Sequence, residues 1–147
     1  VSFLDGRGAP EHARFDMLAS WTDHADQTIK YYSGRATYRT EFSVAEEPPT
    51  RVRLDLGSVG DMARVRINDH DFGTVWWSPA RLDVSGALKQ GRNTIEIEVA
   101  NYWHNRLVGD RQPGALTHTF APIAPYDAHT RLRPSGLIGP VRLERLE

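Results

Sequence analysis

The chain has 147 residues, 39% hydrophobic and 25% charged, with a formal net charge of -1; this suits one domain with its own core and excludes a disordered chain. Near-neutral charge without a run of Lys or Arg gives no drive toward nucleic acid or an anionic membrane, and no apolar stretch approaches the roughly 20 residues of a membrane helix. The absence of cysteine excludes disulfides, thiolate nucleophiles and zinc–thiolate centres together.

The sequence opens on Val1, without initiator methionine or secretory leader, as a segment of a longer polypeptide would. Residues 1–13 read as a linker or N-terminal extension, and Arg14 to Ser20 as a short helix with Phe15, Leu18 and Ala19 inward. Period-two alternation then places Ala36, Tyr38, Thr40, Phe42 and Val44 on one side of a strand, with Thr37, Arg39, Glu41 and Ser43 on the other. Glu46-Glu47-Pro48-Pro49 stops it, because proline cannot donate to a ladder. Val52, Leu54 and Leu56 resume the inward face; Gly57 to Gly60 turns; Ala63, Val65 and Ile67 form the next inward row. Asn68 to Asp71 has hairpin-turn chemistry, and Phe72 to Trp76 is the returning strand.

Leu82 and Val84 mark a short strand, and Ser85 to Leu88 one helical turn. Ile95, Ile97 and Val99 alternate with Thr94, Glu96 and Glu98, and Val141 with Leu143 marks a last strand. Many short strands with little helix predict an all-β fold, a jelly-roll β-sandwich, with residues 1–147 as a single module. From Tyr102 to Gly139 the alternation fails, and a loop of that length in a compact domain is often functional.

Several segments resemble a known domain. Tyr31 to Arg39, Leu54-Asp55-Leu56-Gly57, Val65-Arg66-Ile67-Asn68, Phe72-Gly73, Leu82-Asp83-Val84-Ser85 and Gly91-Arg92-Asn93-Thr94 follow one another as in the sugar-binding, galactose-binding-like jelly roll of family 2 glycoside hydrolases. Asn101 to Asp110 and the closing Ser135 to Leu143 most resemble the C-terminal sandwich of family 106 α-L-rhamnosidases. The resemblance covers roughly residues 14 to 147 and implies a carbohydrate-processing parent enzyme, with the parent's catalytic domain as a partner. It implies a secreted or periplasmic setting. It also makes a structural calcium compatible with the fold, although no Asp-rich spacing assigns ligands.

Sugars stack their C–H faces on aromatic rings and hydrogen-bond through their hydroxyls. Trp76 and Trp77 are adjacent, so in a strand they face opposite ways; Trp76 is expected in the core and Trp77 at the binding surface. Tyr102, Trp103, His104, Asn105, Arg106 and Asp110 complete the carbohydrate-binding candidates. His104 and Arg106 are expected to face outward, with Asp110 holding the Arg106 fork ready for hydroxyls or a carboxylate. The bland alternative is that Trp103 packs the sandwich end, Asn105 holds a turn and Arg106 pairs with Asp110. Asp69-His70-Asp71 reads as a turn rather than a metal site.

Glycoside hydrolysis needs two carboxylates across one sugar cleft. The acids here fall on outward strand faces or in turns, so no catalytic residue is assigned. The reading is a noncatalytic carbohydrate-binding or active-site-flanking module, or alternatively a structural sandwich that buttresses the catalytic domain without binding sugar. Rhamnose-containing or other plant polysaccharide is the expected ligand.

Overall fold

The computed structural model describes residues 1–4, 8–123 and 125–147. In chain order its strands are β1 (Ser2–Phe3), β2 (Arg35–Val44), β3 (Val52–Asp55), β4 (Ser58–Val59), β5 (Met62–Ile67), β6 (His70–Val75), β7 (Arg81–Asp83), β8 (Gly91–Ala100), β9 (Leu137–Gly139) and β10 (Arg142–Arg145). Helix among the described residues is a 3-10 turn at Trp21–Asp23, α1 (Gln27–Lys30) and α2 (His104–Gly109). No helix among them is long and apolar enough to cross a membrane.

The segments with the clearest alternation form the spine. β2 and β8 pair antiparallel without a break from Arg35↔Ala100 to Val44↔Gly91. β5 takes the other side of β8, giving a five-stranded sheet of order β1-β2-β8-β5-β6. A second sheet, β10-β3-β7, faces it, and β4 with β9 makes a short third pair. Ala36, Tyr38, Val65, Ile67, Ile97 and Val99 join Val52, Leu54, Leu56 and Val84 in one buried cluster. Burying each aliphatic side chain of this size contributes roughly 1.5–3 kcal/mol. The fold is the expected all-β sandwich.

Both broad faces are charged. Arg39 pairs with Glu96 across β2 and β8 (3.3 Å), Arg53 with Glu144 across β3 and β10 (2.7 Å), and Arg81 with Asp55 across β7 and β3 (2.7 Å). Arg64 on β5 pairs with Asp71 on β6. Such exposed pairs are each worth roughly 0–1 kcal/mol, so they fix which face meets water more than they add stability.

Other local expectations change. The segment read as a linker or extension begins inside the sheet: Ser2 and Phe3 pair with Thr37 and Ala36, and Phe3 is buried. Arg14 to Ser20 is not helical. Seven residues fall below the length at which a helix sustains itself, and the capping groups come at the segment's last residue and beyond it. Ser20 Oγ accepts from Thr22 N (3.3 Å) and Asp26 Oδ1 from Thr28 N (2.8 Å), so the turns start later. Phe15 is only half-buried and Leu18 is exposed, while Trp21 takes the core position. Ser85 to Leu88 is a turn instead of a helical turn, because Gly86 is left-handed at φ 76.

Trp21 is the centre of an aromatic cluster with Phe3, Tyr32 and Tyr38. Its Nε1 donates to the Tyr38 hydroxyl (2.6 Å), which also accepts from Leu137 N (3.1 Å). Burial pushes the Tyr38 phenol up to about 12. Gly57 is left-handed (φ 64), and a Cβ there would collide with the Gly139 backbone. Only glycine lets β4 lie this close to β9.

Candidate functional site

The start of β2, the end of β8, the start of β5 and the end of β6 meet at one end of the large sheet, through Arg35↔Ala100, Met62↔Ala100 and Ala63↔Val75. Every sequence-nominated site residue follows one of those strand ends. Asn101 ties two of them: its Oδ1 accepts from Gly34 N (3.1 Å), and its Nδ2 donates to Tyr32 O (3.2 Å). Tyr102 N donates to Asp61 Oδ2 (2.9 Å) in the turn before β5.

After Tyr102 the chain forms α2 where a loop was expected. A helix puts residues four apart on one face, which turns Arg106 and Asp110 toward the body of the domain. The outward placement expected for Arg106 is therefore wrong: the residue is 5% exposed. Its Nε donates to Asp110 Oδ1 (2.8 Å), and its backbone N donates to Ser33 Oγ (3.1 Å). Gly109 shares this packed surface; a side chain there would overlap Tyr31 and the Arg106 guanidinium.

Asp110 does more than balance Arg106. Its Oδ2 accepts from His118 N (3.1 Å), Thr119 N (2.9 Å) and Thr119 Oγ1 (2.5 Å). Burial pushes the Asp110 carboxyl up, but the Thr119 hydroxyl, the backbone donors and the Arg106 charge outweigh it and hold it below the usual carboxylate value. Asn105 works in the same way on the next segment. Its Nδ2 donates to Arg133 O (2.8 Å), its Oδ1 accepts from Arg133 N (2.9 Å), and it is buried. His104 Nε2 donates to Arg131 O (2.9 Å), with its ring 4.5 Å from that of Tyr126. The long loop is thus stapled by side chains instead of a ladder.

The accessible groups are aromatic. Trp77 is 51% exposed and Trp76 76%, their rings edge to face at 6.5 Å. Trp76 was expected in the core. Instead the β5–β6 register slips: Arg64 faces Thr74 but Arg66 faces Asp71, so Phe72-Gly73 holds an extra residue. A bulge moves the following side chains to the other face, and Val75 takes the buried position. The two tryptophans wall a cleft of about 220 Å³ with Ser58, Asp61 and Ser78. Asp61 links this cleft to Tyr102, and Tyr102 and Trp103 are themselves exposed. Neither Trp76 nor Asp61 was nominated from sequence; the left-handed Gly73 (φ 74) is the one local hint of the bulge.

Among the described residues, no three or more His, Asp or Glu side chains gather where they could hold a metal ion. The carboxylates on the sheet faces are engaged by arginine, as at Asp55, Asp71, Glu96 and Glu144. A larger, mainly apolar groove of about 580 Å³ opens between Phe15, Leu18, Tyr38, Ile95 and Val141.

The model of the glycosyl hydrolase 2 galactose-binding domain-like family matches residues 19–136. The chain belongs to that family. Relatives place this galactose-binding-like domain inside long enzymes. It is 48% identical to the rhamnosidase from Novosphingobium sp. PP1Y, with a TM-score of 0.91, covering 97% of this chain and 14% of that one. It is 35% identical over 161 residues to the "Putative beta-glucuronidase" of Formosa agariphila, covering 90% of this chain and 14% of the relative. The GH2 beta-galacturonidase from Eisenbergiella tayi bound to galacturonate shares the fold at 19% identity and a TM-score of 0.62, covering 99% of this chain and 22% of that one. The galactose-binding-like domain thus spans about one seventh of the first two relatives.

Proposed function

We propose that this domain is a noncatalytic module of a longer, secreted or periplasmic glycoside hydrolase resembling the α-L-rhamnosidases, and that it recognises carbohydrate beside the catalytic domain. The observation that carries the reading is the exposed Trp76–Trp77 pair over a cleft holding Asp61. Rings supply the stacking surface, and the carboxylate and hydroxyls supply hydrogen-bond partners. Tyr102, Trp103 and His104 extend the same end of the sandwich, whereas Asn105, Arg106 and Asp110 serve it from beneath. Rhamnose-containing plant polysaccharide is the ligand that the likeness to a rhamnosidase suggests.

Calorimetric titration of the chain against such polysaccharides is expected to give weak binding, with Kd on the order of 10⁻⁵ to 10⁻³ M. Trp77→Ala and Trp76→Ala should each weaken it several-fold while leaving the thermal midpoint in place. Loss of the folded transition in either variant would show that its ring supports the core, and unchanged affinity in both would remove the stacking site.

The chain alone should not turn over aryl rhamnosides. Hydrolysis abolished by replacing a single Asp or Glu would reverse the noncatalytic assignment.

The buttress reading keeps support from one observation. The Asn105 and Arg106–Asp110 networks spend the polar groups of α2 on internal structure.

A further inference from the structure

The loop that Asp110 fixes presents an unusual set of side chains. Leu116 is 79% exposed, Phe120 96% and Ile123 80%, all within eight residues. Scattered exposed apolar residues are ordinary on a protein surface; three on one short loop, held by a buried carboxylate, are not scattered. His118 N, Thr119 N and Thr119 Oγ1 all donate to Asp110 Oδ2, so the backbone just before Phe120 is anchored to α2. The anchoring removes conformational entropy from the loop before any partner arrives. Both broad faces of the sandwich carry ion pairs, and among the described residues none is formed by residues 116–123.

We infer that residues 116–123 form a docking knob, in which Phe120, on the same loop as Leu116 and Ile123, seats in an apolar pocket of another domain of the same polypeptide. The inference rests on the reading above that the chain is a module of a longer hydrolase. It takes its occupant from the relatives, which match this chain over 97% and 90% of its length while it spans 14% of theirs. A neighbouring domain in covalent linkage is present at high effective concentration, so a small apolar knob can contribute to holding it in place. Asp110 and Thr119 act on that contact only through the loop.

The test compares the 147-residue chain with the longer polypeptide that carries it, using hydroxyl-radical footprinting read at Phe120. Oxidation of Phe120 should be about tenfold slower in the longer polypeptide, as expected when an accessible ring becomes protected by a stable contact. Phe120→Asp should leave the thermal midpoint of the 147-residue chain unchanged, and in the longer polypeptide it should restore fast oxidation of the loop peptide. Equal oxidation rates in the two proteins, with glycoside hydrolysis by the longer one intact, would overturn the docking knob and leave the hydrolase reading standing. Slow oxidation in a longer polypeptide that hydrolyses no glycoside would support the knob and overturn the hydrolase reading. Protection of Phe120 in the short chain alone, rising with its concentration or with added polysaccharide, would assign the knob to a second copy or to sugar and overturn the inference.

Discussion

Asp110→Asn is expected to lower the stability of the domain by about 3–5 kcal/mol, the usual consequence of leaving a buried charge without its partner. Asparagine has the right shape and the wrong chemistry. The carboxylate uses one oxygen for Arg106 Nε and the other for three donors from His118 and Thr119. An amide has one accepting oxygen and one donating nitrogen, so one of the two sets must face a donor. At roughly 2–4 °C per kcal/mol for a chain of this size, the midpoint should fall by about 6–20 °C.

The pH dependence gives an independent check. Asp110 is held below its ordinary value in the folded state. Its contribution is therefore fully present above the unfolded value of about 3.9 and is lost as pH falls through the lower folded value. The gap between wild type and Asp110→Asn, followed by urea unfolding, should stay constant from pH 7 to about pH 5 and shrink below about pH 4. A gap under about 1 kcal/mol at neutral pH would mean that the pair behaves as a surface ion pair. Arg106→Ala should also destabilise, as its burial requires and its expected outward placement would not.

Trp21→Ala is expected to cost about 3–5 kcal/mol, the range for removing a large aromatic ring from a closed core. The indole contacts Phe3, Tyr32 and Tyr38 and lies so close to Gly136 that no side chain fits there. Little can move in to fill the space, because Phe3 and Tyr38 are fixed in the five-stranded sheet and Ser135 N is tied to Ser20 Oγ (3.1 Å). Tyr38→Phe removes the acceptor shared by Trp21 Nε1 and Leu137 N and keeps the ring volume. It should cost less, about 1–3 kcal/mol for the stranded donors. Chemical denaturation of the two variants separates the terms. Equal losses would mean that the hydroxyl, and not the packed ring, holds this corner.

How far the sequence was legible depended on the physics that each element uses. β2, β3, β5 and β8 were readable because one face is buried and the other wet, which imprints a period of two. The start of α2 was not, since a six-residue helix is too short to show a 3.6-residue period and draws its order from tertiary bonds. Arg106 was misplaced because patterning treats a charge as outward, and only a partner folded back from the same helix makes burial tolerable. Its pairing with Asp110, foreseen as one alternative, follows from the i,i+4 spacing alone. The phase of Trp76 was lost at the Phe72-Gly73 bulge, one residue that strand alternation cannot anticipate. The family resemblance, by contrast, depended on motif order along the chain, which such local shifts leave intact.

A single carboxylate at position 110 balances a buried cation and also sets the path of the loop that follows it. These two duties cannot be inherited separately. A lineage that replaces Arg106 with an apolar residue frees Asp110 to change, but then Thr119 and His118 lose their acceptor and the loop must find another anchor. Positions 106, 110 and 119 are therefore expected to drift together or not at all, so that descendants keep the whole trio or abandon the loop's present shape in one step.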